Sequence, residues 1–196
     1  MVPSHPVMYR KTLASTVKVE SAESIGSGVV INDHCIVTVR HVAEDATPQV
    51  ITTQDGKDHL VTKKYLGEFS DMAVECVKDS LNAPAIHISR TMPELYSPVF
   101  VLGNPLGQDN TLTTGNYQGG DRITAPVVWG NSGGGVFDES GNLIGVAATI
   151  MIKAIGGFPF AFPHLAGMTT IRDIIPFLDA NHITYSPALT YSPPQG

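Results

Sequence analysis

Three residues carry chemistry that none could perform alone: His41, Asp71 and Ser132, in that chain order. A serine hydroxyl becomes a useful nucleophile only when a base takes its proton. The tetrahedral product of its attack then needs fixed N–H donors around the new oxyanion. Ser132 stands in Gly130-Asn131-Ser132-Gly133-Gly134-Gly135, where glycines let the chain turn tightly and leave backbone N–H groups uncovered. His41 follows the apolar run Cys35-Ile36-Val37-Thr38-Val39 and is suited to be the base; Asp71 opens Asp71-Met72-Ala73-Val74 and is suited to orient its imidazole. Taken singly, a glycine-flanked serine is a turn, the aspartate a local cap and the histidine a core residue. It is the ordered set that points to nucleophilic catalysis. His34, His59, His87, His164 and His182 have no comparable surroundings.

Short β-rich runs separated by turn residues must position these groups. In the first half they are Ser15–Val19, Ser27–Ile31, Cys35–Val39, Gln49–Thr53, His59–Tyr65 and Met72–Val77. The second half offers Val99–Leu102, Thr111–Tyr117, Ile123–Val128, Gly135–Phe137, Leu143–Thr149 and Phe158–Phe162. So many short strands with little helical periodicity predict an all-β fold of sandwiches or barrels rather than βαβ units. A Pro-containing break near Ala83–Pro98 divides them into a unit over 1–88 carrying His41 and Asp71 and a unit over 89–182 carrying Ser132. One helix is predicted from about Thr169 to Asn181, with an apolar stripe of Ile171, Ile174, Ile175 and Leu178 and a kink or restart at Pro176. The repeat Thr184-Tyr185-Ser186-Pro187 and Thr190-Tyr191-Ser192-Pro193 makes 183–196 an expected flexible tail.

Composition narrows the partners. Across 196 residues, 12 Lys and Arg stand against 18 Asp and Glu, a net charge of -6 with no basic run, which argues against nucleic acid as the main ligand. No apolar stretch approaches the roughly 20 residues of a membrane helix. The start Met1-Val2-Pro3-Ser4-His5-Pro6 has neither the basic nor the apolar region of a signal peptide. Cys35 and Cys76 are too few for a disulfide framework and are expected as buried free thiols, which favours a reducing, cytoplasmic setting. No cofactor and no metal are expected, and the oligomeric state is not readable.

The motifs together resemble the protease domain of the HtrA family of trypsin-like serine proteases. Thr38-Val39-Arg40-His41-Val42, Asp71-Met72-Ala73-Val74, Leu102-Gly103-Asn104-Pro105 and Gly130-Asn131-Ser132-Gly133-Gly134 match its segments in order, as do Ser27-Gly28-Val29-Val30 before them. Asn142-Leu143-Ile144-Gly145-Val146 and Phe160-Ala161-Phe162-Pro163 resemble the strands after the serine. The resemblance spans roughly residues 25–180. It implies two six-stranded β-barrels with a C-terminal helix, a cleft between them, and a serine endopeptidase acting on protein or peptide substrates. His41 would be general base, Asp71 its partner and Ser132 the nucleophile, with the N–H groups of Gly130 and Ser132 as the oxyanion hole. Gly135 stands where the family usually has proline, and Arg40 where a small or neutral residue commonly precedes the histidine. No PDZ-like domain follows.

Two other readings compete. Gly130-Asn131-Ser132-Gly133-Gly134 also satisfies the Gly-x-Ser-x-Gly elbow of α/β-hydrolase esterases, but that elbow needs a following helix and βα alternation, which the sequence lacks. A pseudoprotease that only holds an extended peptide is the other alternative. On the resemblance, Pro126 lies at the base of the primary specificity pocket, with Phe160 and Phe162 on its wall strand. Neither Ala125, Val127, Val128 nor the segment Gly156–Phe162 supplies a charge, so a small to medium apolar residue is expected before the cut. His164 is the one nearby group that could turn the pocket toward Glu or Gln. The biological setting expected is protein quality control or polyprotein processing.

Overall fold

The computed structural model describes residues 5–104 and 110–188, with the side chains at 149–151, 163 and 164 left aside. Pro105 and the second tail repeat from Thr190 lie outside the described residues. In the first half, β1 (Thr16–Glu20), β2 (Ile25–Val30), β3 (Cys35–Thr38), β4 (Val50–Thr52), β5 (Asp58–Leu66) and β6 (Ala73–Val77) close into a barrel of order β1-β2-β3-β6-β5-β4. Val17, Val19, Val29, Ile36, Val37, Ile51 and Val74 fill a core shielded from water. Closure leaves the barrel without an edge strand.

The second half is one sheet, and the closed barrel is that of the first half. β8 (Pro98–Gly103), β9 (Thr111–Asn116), β10 (Arg122–Ile123), β11 (Gly135–Phe137), β12 (Leu143–Ile155) and β13 (Phe158–Thr170) run in the order β10-β13-β12-β11-β8-β9. Its two end strands meet through the Tyr117–Ile123 bridge, flanked by backbone bonds from Thr124 to Asn116 at 3.0 Å and from Gln118 to Arg122 at 2.9 Å. β7 (His87–Ile88), at the end of the expected first unit, pairs with β12 and so joins this sheet.

Three helical pieces complete the fold. α1 (His5–Ala14) has no apolar stripe that would betray it; it is held by tertiary packing, with Met8 buried and the Tyr9 ring edge-on to Phe100 at 4.9 Å. α2 (Arg40–Ala43) is one turn directly after β3 and carries His41. α3 (Ile171–Ala180) matches the predicted helix, and the Thr170 side chain accepts from the Arg172 N–H as its cap. It runs unbroken through Pro176, whose place on the exposed face leaves the carbonyl it cannot pair open to water.

Two other expectations change. Cys35 and Cys76 face each other across β3 and β6 with Cα atoms 4.2 Å apart and form a disulfide rather than two free thiols. Facing register in adjacent strands brings the two sulfurs together, which sequence separation of 41 residues conceals. The cysteines therefore no longer argue for a reducing compartment. The start of the expected tail is also ordered: β14 (Ser186–Pro187) adds in parallel to β7, and the Tyr185 hydroxyl bonds Asp179 at 3.0 Å.

Candidate active site

β3 ends at Thr38, and the turn of α2 that follows projects His41 from the rim of the barrel. Arg40, the departure beside it, binds this turn to the barrel: its Nη1 donates to the Gly67 carbonyl at 2.6 Å and its Nε pairs with Glu44 at 3.0 Å. Asp71 lies just before β6, which is hydrogen-bonded to β3, so barrel pairing alone brings it beside His41. One carboxylate oxygen accepts the His41 backbone N–H at 3.0 Å, and the other meets the imidazole Nδ1 at 2.7 Å. The hydrogen bond from Asp71 raises the His41 pKa above its ordinary 6.5, against the opposing effect of burial. His41 and its backbone lower that of Asp71, against a desolvation that would raise it. The carboxylate is thereby kept charged beside the ring.

Ser132 comes from the second half, in the loop between β10 and β11. Gly133 has φ +84°, and a Cβ there would lie 2.1 Å from the Ser27 carbonyl oxygen, so only glycine fits. Gly135 has a separate reason: a Cβ there would meet the Phe137 ring at 2.2 Å, so the ring occupies the space a proline would need. Around the nucleophile, the Asn131 N–H donates to Val128, Gly133 to Ala147 and Gly134 to Asn131. Among the described residues the N–H groups of Gly130 and Ser132 have no protein acceptor. That is the pattern of two donors left for an incoming oxyanion.

A cleft of about 400 Å³ is lined by His41, Gly130 and Ser132 together with Ile25, Trp129, Ala148 and Ile152. The sequence-predicted triad and oxyanion residues are thus brought to one place, except that Asp71 sits behind His41 and lines a neighbouring cavity of about 410 Å³. The predicted specificity residues are not brought there. Pro126 lies between buried Ala125 and Val127, its carbonyl accepting from Thr113 at 2.7 Å, and does not line the cleft. Phe160, 49 % exposed, and Phe162 lie on a projecting part of β13. The reason is one of register: the part of β13 that packs into the sheet is Ala166–Thr170, not Phe160–Pro163. The His164 side chain lies outside the described residues.

Sequence reading missed two positioning residues. Ser27, fully buried, donates its N–H to the Ser132 carbonyl at 2.8 Å and its Oγ to the Gly130 carbonyl at 2.7 Å, while accepting from the Asn104 N–H at 2.8 Å. Its place between Gly26 and Gly28 was the available signal, since small residues mark close backbone approach. Thr169 bonds the Asp71 carbonyl at 2.6 Å and had no signal at all. Among the described residues no group of His, Cys, Asp or Glu is arranged to hold a metal ion. No described helix is long and apolar enough to cross a membrane.

A barrel-borne His–Asp pair facing a glycine-flanked serine on a second β-sheet is the arrangement of trypsin-like serine proteases, and residues 26–146 match the family model described as a trypsin-like peptidase domain. The chain belongs to that family. Its relatives include HtrA-like serine proteases of Staphylococcus epidermidis, 35 % identical over 183 residues, and of Staphylococcus aureus, 34 % identical over 186 residues. These alignments take in 78 % and 79 % of this chain but only 31 % and 24 % of those proteins, so the chain spans a third or less of their length. The fold is shared with the Rv3671c protease in its inactive form, at TM-score 0.75 and 21 % identity, covering 92 % of this chain and 97 % of that one. It is shared too with a serine endoprotease from Yersinia pestis, at TM-score 0.76 and 23 % identity, covering 93 % and 68 %.

Proposed function

We propose that this chain hydrolyses peptide bonds in protein substrates, with His41, Asp71 and Ser132 as its catalytic triad. The observation that carries this reading is the His41–Asp71 pair at 2.7 Å opening onto the cleft that also holds Ser132 and two unengaged N–H groups. With Nδ1 donating to the carboxylate, the free Nε2 is the basic nitrogen and takes the Ser132 proton as Oγ attacks the carbonyl carbon. Charge passes to the carbonyl oxygen, where the N–H groups of Gly130 and Ser132 stabilise it. His41 then returns the proton to the departing amine, leaving an acyl-enzyme. A water molecule, deprotonated by the same imidazole, hydrolyses the ester and restores Ser132.

The cleft's lining is mixed: Ile25, Trp129, Ala148 and Ile152 favour apolar residues beside the cut, next to the polar Glu23 and Ser24, while Pro126, Phe160 and Phe162 do not line it. Protein quality control or polyprotein processing is the setting this chemistry suits. The test is hydrolysis of an unfolded protein and of a quenched apolar peptide by the intact chain and by Ser132→Ala. Cleavage by the intact chain that the variant lacks is expected; equal cleavage by both would refute the assignment, and binding without cleavage would make the chain a pseudoprotease.

A further inference from the structure

The turn between β1 and β2 is fastened by its own small polar side chains. The Ser21 N–H donates to the Ser24 carbonyl at 2.9 Å, and the Ser21 hydroxyl accepts the N–H groups of Glu23 at 3.1 Å and Ser24 at 2.9 Å. That hydroxyl also donates to the Asp45 carboxylate, while the Ser24 hydroxyl donates at 3.3 Å to the carbonyl of Val42, which follows His41. Short polar side chains that bond nearby backbone hold a turn in one shape. One polar side chain of this turn is left over. Glu23 is exposed, and among the described residues its carboxylate has no hydrogen bond or ion pair.

Glu23 lines the cleft that holds His41 and Ser132, and no Lys or Arg is among the residues lining it. Arg40, beside His41, is already engaged by Glu44 and the Gly67 carbonyl. The carboxylates that act on the His41 ring are those of Asp71 and Glu44, so Glu23 is not engaged with the base either. Trp129 lines the same cleft and is 62 % exposed; among the described residues its indole stacks on no ring and meets no cation. A free carboxylate and a bare indole in one cleft suit a flat cation. The carboxylate accepts the N–H groups of a guanidinium, and the negative face of the indole takes its plane.

We infer that Glu23 and Trp129 select a basic side chain of the substrate, arginine above lysine, at one position close to the cut. This rests on the proposed protease activity and names the substrates it would take: polypeptides with an apolar and a basic residue near the same bond. Ile25, Ala148 and Ile152 receive the apolar one. Because the carboxylate faces water, its ion pair is modest and sensitive to salt, and stacking on the indole adds to it. The chain's net charge of -6 acts in the same direction, attracting basic segments and repelling acidic ones.

The test uses the intact chain, with active sites counted by fluorophosphonate labelling of Ser132. Quenched peptides share one apolar cleavable core and carry arginine, lysine, citrulline or glutamate at positions on either side of the bond. At one position, kcat/KM with arginine should exceed that with citrulline by about fivefold to tenfold, with lysine between them and glutamate lowest. The preference should shrink in about 1 M salt, where charges are screened beyond about 3 Å. Glu23→Gln should bring the arginine-to-citrulline ratio toward one, and Glu23→Lys should make glutamate the favoured residue at that position. Trp129→Leu should bring the arginine-to-lysine ratio toward one. Labelling at Ser132 with no position that prefers arginine, or a preference that both Glu23 variants retain, would overturn the inference while leaving the protease reading intact. Absence of both labelling and cleavage would remove both.

Discussion

The two halves hold the proposed catalytic groups in different ways. The first is a closed barrel that holds its own pair: His41 and Asp71 meet through bonds between strands β3 and β6 and the turn between β3 and β4, with Thr169 of the second half adding one bond to the Asp71 carbonyl. In the second half the Ser132 loop is fastened both by bonds of its own, such as the Gly133 N–H to the Ala147 carbonyl, and from outside. Ser27 of the barrel binds both the Gly130 and the Ser132 carbonyls. The proposed base and acid are therefore held mainly by one half, whereas the placement of the proposed nucleophile depends on both.

The largest effects should come from the groups that act on the bond itself. Ser132→Ala or His41→Ala is expected to lower kcat/KM for a quenched peptide by on the order of 10⁴–10⁶-fold with the fold retained. Asp71→Asn should cost roughly 10⁴-fold, because the amide favours the wrong imidazole tautomer. Circular dichroism alongside the kinetics separates chemistry from unfolding.

The barrel's self-sufficiency has one weak point, at Glu75. This carboxyl is 0 % exposed, neither oxygen has a hydrogen-bond partner, and burial pushes its pKa from 4.5 to about 7, with Lys64 only partly opposing. Below pH 4.5 the group is protonated in both folded and unfolded chains. Between 4.5 and about 7 only the folded state keeps the proton, so stability falls as pH rises, by on the order of 3 kcal/mol in all. Denaturant titrations across that range should show the fall in the natural chain and its loss in Glu75→Gln. A flat profile in the natural chain would mean that Glu75 is solvated or paired.

Junction residues should matter next. Ser27→Ala strips the Gly130 carbonyl and the Asn104 N–H of their partner, and a small displacement of the nucleophile costs roughly 10–100-fold in kcat. The effect should appear in kcat and in the rate of fluorophosphonate labelling rather than in KM. Thr169→Val, which frees only the Asp71 carbonyl, should cost about 1 kcal/mol of stability and little activity. Equal effects of the two would contradict the contrast between the halves. Smallest of all, truncation after Thr184 removes β14 and the Tyr185–Asp179 bond, and should leave short-peptide hydrolysis within a few-fold while lowering stability by about 1 kcal/mol.

Much of this was legible in the chain because the signals were local. Alternating Val and Ile with turn residues between them mark nearly every barrel strand, and the glycines about Ser132 mark a crowded turn. What was not legible depended on contacts between distant segments. α1 exists because Met8 and Tyr9 find the second half, and the disulfide because two strands happen to face in register. The outward extension of β12 and β13 was hidden by an accident of pattern. Phe160-Ala161-Phe162-Pro163 resembles a packed strand, but that packing falls to Ala166–Thr170, leaving Phe160 on a ribbon exposed to water. Ser27 was visible only as a small residue between glycines, since nothing local states which backbone it approaches.

In the proposed mechanism, a base oriented by the barrel activates the Ser132 hydroxyl at the junction of the two halves. Fluorophosphonate labelling followed by peptide mapping, carried out across pH on the intact chain, tests it most directly. Because the Asp71 bond raises the His41 pKa, the neutral base should appear only above the ordinary histidine value of 6.5, so the labelling rate should climb through a midpoint above that pH. Modification should fall on Ser132 alone and vanish in His41→Ala. Labelling at another residue, or labelling of Ser132 that persists unchanged without His41, would contradict the claim.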